Sequence, residues 1–285
     1  MKILVLGAGG MAGHMIALRL QAAGYDVTGL ARRELVYFPS LVMDIRDTVP
    51  LQQEITKYDV IINAIGILPA SIHTHLAHSV WINTYLPHFL AEITKQTPTK
   101  VIHMSTDCVF SGKEQGNYTE NSLCTETNYY GRTKALGELI DDKNLTFRTS
   151  IIGPDINPHG TGLFHWFMQQ ELPVKGFQKV IWTGVTTLEL ADAMDAAIQQ
   201  KLTGLYHLVN NQTINKYDLL HLFNQHKKNA ISIETDTTFV SDKSLVTTRT
   251  DFSFQVKSYQ VMINDMKNWI IRHQSLYPLY QMTTD

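Results

Sequence analysis

Three short patterns in the 285-residue sequence carry residue types that do chemistry together. In "YYGRTKALGE", Tyr130 and Lys134 stand four apart, on one face of any helix formed there. A phenol titrates near pH ~10 and exchanges its proton poorly at neutrality. A lysine cation beside it favours the phenolate and lowers that value. Such a pair can give a proton to a carbonyl oxygen while a nicotinamide delivers hydride to the carbon. Alone, the pair is also what an ordinary helix surface offers.

The second pattern, "HMSTDCVFSG", closes an apolar run with Ser105, Thr106, Asp107 and Cys108. The third is the turn Gly7-Ala8-Gly9-Gly10-Met11-Ala12-Gly13. Its G-x-x-G-x-x-G spacing (Gly7, Gly10, Gly13), with Gly9 and Met11 in the same turn, lets backbone N–H groups approach a pyrophosphate at a helix N-terminus. In "GLARRE", Arg32 and Arg33 replace the acid that an NAD-preferring site offers to the ribose 2′-hydroxyl. They suit a 2′-phosphate and the adenine face, so NADPH is the expected cofactor, with NADH as a second choice. Solvated surface arginines are the plain alternative. Asp44 in "VMDIRD" would reach the adenine edge or cap a helix.

These residues need a scaffold. The runs "KILVLG", "YDVTGLA", "VIINAIG", "KVIHMST" and "LTFRTSIIG" are short and apolar nearly throughout, as strands covered on both faces should be. Helical patterns such as "GMAGHMIALRLQAAG" and "INTYLPHFLAEITKQ" separate them. This alternation predicts an α/β fold with a doubly wound parallel sheet, Rossmann-like, whose ligands sit outside the carboxyl ends of the strands. After Pro154 the rhythm changes: "GLFHWFMQQ", "VTTLELADAMDAAIQQ" and "TINKYDLLHLFNQ" read as helices, with "GLYHLV" a strand. The expected division is a dinucleotide-binding domain over 1–153, rejoined by roughly 180–210, and a smaller mixed substrate lobe from 154–179 and 211–285.

Composition narrows the class. A charged fraction of 18%, net charge −2 and no basic run argue against nucleic acid or a membrane surface as partner. No apolar run approaches the ~18 residues of a membrane span, and "MKILVLGAGG" enters a strand directly, unlike a signal peptide. Two cysteines make no disulfide framework, so a reducing cytoplasm is expected. In "HTHLAH", His73, His75 and His78 imitate a metal cluster, but no carboxylate or cysteine completes a set, and no metal is expected. The stripe in "WINTYLPHFLAEI" reads as core or as a helix-pair interface, compatible with a homodimer.

The stretches "GAGGMAGH", "NAIG", "INTYLPHFLAE", "STDCVFSG", "YYGRTKALGE" and "RTSIIGP" together resemble the extended short-chain dehydrogenase/reductases, and within them the dTDP-4-dehydrorhamnose reductases. The resemblance implies that Thr106 hydrogen-bonds the reacting carbonyl, that Tyr130 is the general acid, and that Lys134 holds the nicotinamide ribose and depresses the tyrosine pKa. Asn63, Ala64 and Gly66 would line the cofactor, and Asn83 would brace the strand ends. Ser105 and Ile151 would support the cofactor side. Asp107, Cys108, Trp166, Trp182 and Thr186 would border the sugar nucleotide. The implied reaction is reduction, at C4, of a 4-keto-6-deoxy sugar carried on a nucleoside diphosphate, for a surface polysaccharide.

Two rivals share these residues. Nucleotide-sugar dehydratases resemble the site but carry Asp then Glu after the threonine; here Cys108 follows Asp107, and the elimination base is missing. An epimerase would keep its nicotinamide tightly bound. A non-catalytic cofactor-binding regulatory subunit would tend to lose the tyrosine or lysine, and both are present. Cys108 itself follows an aspartate, the wrong neighbour for a reactive thiolate, and reads as a small wall of the sugar pocket.

Overall fold

The computed structural model describes residues 1–72 and 74–283; the His73 expectation lies outside the described residues. The chain opens with β1 (Lys2–Leu6), α1 (Met11–Ala22), β2 (Asp26–Ala31), β3 (Ser40–Val42), α2 (Thr48–Ile55) and β4 (Val60–Asn63). It continues through α3 (Pro69–Ile72), α4 (Leu76–Val80), a π turn over Trp81–Tyr85, α5 (Leu86–Thr94) and β5 (Lys100–Ser105). Then come α6 (Tyr129–Leu136), β6 (Leu145–Arg148), β7 (Ile151–Ile152), α7 (Leu163–Met168), β8 (Val174–Phe177), β9 (Val180–Trp182) and β10 (Val185–Thr186). The last elements are α8 (Thr187–Gln199), β11 (Gly204–His207), β12 (Ile214–Asn215), α9 (Lys216–Asn224), β13 (Ile233–Asp236), β14 (Ser241–Asp242) and α10 (Tyr259–Arg272).

Seven strands form one parallel sheet in the order β3-β2-β1-β4-β5-β6-β11. Helices cover both faces, which is why the central strands read as unbroken apolar runs. On one face Met15, Ile16 and Leu20 of α1 pack with Ala191 and Met194 of α8; on the other, Leu51, Ile55, Leu86 and Leu90 come from α2 and α5. Strand order reverses between β1 and β4, and ligands of such sheets bind outside the carboxyl ends at that reversal. Among the described residues no helix is long and apolar enough to cross a membrane.

Several local readings change. β3 is a strand that the apolar-run criterion missed, because it spans three residues and is only partly covered. "LTFRTSIIG" is two strands: β6 pairs with β5 and β11, and after Thr149 and Ser150 the chain turns to pair β7 with β10 outside the main sheet. "VIINAIG" stops as a strand at Asn63, whose Oδ1 accepts the Ile65 N–H (3.2 Å) and begins the loop. From 180 to 182 the chain pairs with lobe strands β12 and β14; α8 packs against α1, and β11 then joins the main sheet. The cap of α2 falls at Asp47, so Asp44 is not that helix's N-cap.

Candidate active site

The carboxyl ends of β1, β4 and β5, parallel neighbours, bring the three sequence patterns to one end of the sheet. After β1, the glycine turn leads straight into α1, whose N-cap Gly10 has no side-chain cap. The first-turn N–H groups of α1 are therefore available to an anion. A Cβ on Gly13 would stand 2.2 Å from the Gly7 carbonyl oxygen and 2.9 Å from the Ala8 Cα, so the turn and the helix approach more closely than any side chain permits. That bare cradle at a helix N-terminus fits the diphosphate of a dinucleotide. Ala64 continues β4 by donating its N–H to the Leu6 carbonyl (3.1 Å), which sets the Asn63–Gly66 loop beside the glycine turn. Arg32 and Arg33 are exposed beyond the end of β2, at the outer rim. Asp44 is engaged by Arg46 (2.6 Å), whose hydrogen bonds hold its carboxyl down to about 2.

At the end of β5, Thr106 caps a short 3₁₀ turn over Asp107–Val109, accepting the Cys108 N–H at 3.1 Å. Its hydroxyl donates to Asp107 Oδ1 at 3.0 Å. Helix α6 approaches this turn through Gly131, where a Cβ would lie 2.3 Å from the Cys108 carbonyl oxygen. The contact seats Tyr130 on the Thr106–Cys108 turn with part of its surface open. Burial pushes the Tyr130 phenol above its ordinary value; Cys108 and Asp107 add to this, and a hydrogen bond with Thr106 only partly opposes it. Burial likewise raises Asp107, against the pull of Thr106, Lys243 and Lys216. The Cys108 thiol is pushed up to about 12 by burial and then by Asp107, which makes it a poor nucleophile and a poor base.

Lys134 departs from its expected role in the ligand-free protein. Its Nζ donates to the Met104 carbonyl (2.5 Å) and lies 3.4 Å from His103 Nε2, below the strand ends. It does not lower the Tyr130 pKa there, because the amine is held against β5. Burial lowers Lys134 itself to about 8, with Glu138 pulling the other way. His103, a buried ring on β5, links Lys134 to Asn63 Nδ2 (3.2 Å) and is kept neutral by burial and the nearby lysine.

Four of the expected site residues are engaged in the protein's own structure. Ser105 donates to Glu138 Oε1 (2.6 Å), within a buried ion pair that Glu138 makes with Arg148 (2.5 Å). Asn83, fully buried in the π turn, holds the loop after β4 by accepting the Ile67 N–H (2.8 Å) and donating to the Ile67 carbonyl (3.1 Å), and it also donates to Thr133 Oγ1 (3.2 Å). π turns recur at functional sites, and this one aims Asn83 at that loop. Trp182 is buried against Tyr259, its Nε1 donating to Ser150 Oγ (2.8 Å). Thr186 is the buried N-cap of α8, accepting the Glu189 N–H (3.1 Å). Trp166 on α7 is 41% exposed and free to border a ligand, and Ile151 is partly open on β7. His75 and His78 sit at α4, and no metal-binding cluster occurs among the described residues.

Sequence reasoning passed over His103, Glu138, Arg148 and His14. Their signal was present: a charged or imidazole side chain inside an apolar strand or glycine-turn helix must be buried, and buried polar groups are paired.

A family model described as "RmlD substrate binding domain" matches residues 1–244. The spore coat polysaccharide biosynthesis protein SpsK of Bacillus subtilis (strain 168) is 27% identical over 226 residues, 76% of each chain. A dTDP-4-dehydrorhamnose reductase of Aggregatibacter actinomycetemcomitans is 32% identical over 52% of this chain, and the match spans only 51% of that protein. In fold, the chain is similar to a dTDP-4-dehydrorhamnose reductase from Bacillus anthracis str. Ames, solved in complex with NADP: TM-score 0.77, 17% identity, 93% of this chain and 98% of that one.

Proposed function

The chain belongs to the RmlD substrate binding domain family, and from that premise we propose that it reduces the 4-keto group of a nucleoside-diphosphate 6-deoxysugar with NADPH, NADH being the weaker alternative. The observation that carries this reading is the seating of Tyr130 on the Thr106 turn at the end of β5, in the same sheet as the bare glycine cradle at the end of β1. Nicotinamide, when bound, supplies the hydride.

The residues divide the remaining work. The Tyr130 phenol, raised by burial, is protonated at neutral pH, the form a proton donor must have. Thr106, whose hydroxyl proton rests on Asp107 in the ligand-free protein, would turn that proton to the carbonyl oxygen and hold it beside Tyr130. Lys134, titrating at about 8, is mostly cationic at pH 7; only once its amine leaves the Met104 carbonyl, as when a cofactor ribose takes it up, would it favour the phenolate. Cys108, a thiol with a pKa of about 12 at the position where a dehydratase carries its base, argues against elimination. Residues 1–153 with α8 and β11 would hold the dinucleotide, and the segments around α7, α9 and α10 the sugar nucleotide. The similarity to SpsK supports a role in polysaccharide biosynthesis, and that to the named reductase supports the reduction.

The test is NADPH oxidation with a panel of dTDP-, UDP- and GDP-4-keto-6-deoxy sugars. Turnover with one nucleotide series is expected, falling by roughly 10²–10⁴ in Tyr130→Phe. No turnover with any of them, or full activity in the variant, would refute the reading.

A further inference from the structure

Residues after 244 lie beyond the family match, yet they deliver two deeply buried tyrosines, Tyr277 and Tyr280, to the base of the site. Tyr277 connects to the glycine turn through His14, the residue that follows Gly13. The Gly10 carbonyl accepts two bonds from His14: the backbone N–H at 3.1 Å and ring Nδ1 at 2.9 Å. A carbonyl only accepts, so Nδ1 carries the proton, and in a neutral ring Nε2 is an acceptor. Burial favours that neutral ring. The Tyr277 hydroxyl, 2.9 Å from Nε2, is then the donor, and its oxygen accepts Trp269 Nε1–H at 3.2 Å. Every group has one consistent role, and the line runs Trp269 to Tyr277 to His14 to Gly10.

The consequence lies on the far side of the Gly10 carbonyl. That carbonyl and the Met11 N–H are opposite ends of one planar peptide. Fixing the carbonyl along α1 aims the Met11 N–H outward from the start of the helix, beyond the carboxyl end of β1. We propose that Tyr277 is a positioning residue for the dinucleotide: acting through His14, it holds the Gly10–Met11 peptide in the orientation that donates to the cofactor diphosphate. The inference rests on the dinucleotide reading given above.

Tyr280 provides an internal control three residues away. Its ring packs against Tyr277 (centroids 6.1 Å apart), but its hydroxyl accepts the Asp155 N–H (2.7 Å), donates to the Asp155 carbonyl (3.3 Å) and pairs with His165 Nδ1 (2.5 Å), and none of these bonds runs to the glycine turn. The experiment uses the full chain and measures NADPH dissociation constants by fluorescence titration, beside thermal midpoints, for wild type, Tyr277→Phe, Tyr280→Phe and Trp269→Phe. Both tyrosine variants should lose thermal stability. Tyr277→Phe alone of the two should weaken NADPH binding, by roughly three- to tenfold. Trp269→Phe should weaken it in the same direction but less, and serves if Tyr277→Phe does not fold. Wild-type affinity in both Tyr277→Phe and Trp269→Phe, or an equal loss in Tyr280→Phe, overturns the proposal. A wild-type protein that does not bind NADPH refutes the cofactor reading and this inference with it; normal wild-type binding with no Tyr277 effect refutes the inference alone.

Discussion

Arg148→Met should be among the most damaging single substitutions outside the reacting groups. The Arg148 and Glu138 side chains are 2% and 3% exposed, so neither charge has water as an alternative partner. Arg148 gives Nε to Glu138 Oε1 (2.8 Å), Nη2 to Oε2 (2.5 Å) and Nη1 to His207 Nε2 (2.9 Å). Its guanidinium also stacks over Phe110, 5.1 Å from the ring centre. Methionine fills much of the volume but leaves the Glu138 carboxylate buried with only Ser105 as a donor. Removing one partner of such a pair costs about 3–5 kcal/mol. A two-state chain of 285 residues changes stability by about 0.6 kcal/mol per degree near its midpoint, so the midpoint should fall by roughly 5–8 °C. The check is a circular dichroism melt at pH 7.5 of wild type, Arg148→Met and Arg148→Met/Glu138→Leu. The double variant, with no charge left to bury, should recover more than half of the loss. A single variant melting within about 1 °C of wild type, or a double variant worse than the single, would refute the reasoning.

Other outcomes follow from the site. Cys108, with its thiol raised to about 12, should resist iodoacetamide at pH 8, while exposed Cys124 is modified first; peptide mass spectrometry reads the order, and prior labelling of Cys108 would contradict it. Lys134 is lowered to about 8 by burial, so the folded protein carries a penalty in full below that pH, relieved as pH rises from 8 toward the unfolded value of 10.5. Lys134→Met should therefore abolish turnover yet stabilise the ligand-free protein at pH 7 by about 1–3 kcal/mol after the lost bond to Met104, the gain shrinking above pH 8 in urea titrations. Gly13→Ala puts a methyl 2.2 Å from the Gly7 oxygen and should raise the NADPH dissociation constant more than about tenfold by calorimetry, since the turn must open.

The parallel sheet was legible because each central strand is covered on both faces and shows it in composition, as "KILVLG" and "KVIHMST" do. The glycine turn and the Tyr130–Lys134 spacing were legible because turn geometry and helical period are local properties. What the sequence hid was partner choice. Ser105 and Thr106 are adjacent hydroxyls, but strand alternation sends Ser105 to Glu138 and leaves Thr106 just past the end of β5. Lys134 points at the tyrosine by spacing alone, yet the Met104 carbonyl and His103 claim its amine. Trp182 and Thr186 are engaged in packing and capping, because large aromatics and hydroxyls also serve those ends and only the fold decides which.

The most direct test of the central claim follows the hydride itself. With NADPH deuterated at nicotinamide C4 and a dTDP-4-keto-6-deoxysugar, the reaction should place one deuterium on sugar C4, read by mass and proton NMR. Tyr130→Phe should bind NADPH with wild-type affinity and transfer label at least about a hundredfold more slowly. Deuterium at any other carbon, product without label, or unimpaired transfer in Tyr130→Phe would contradict the account.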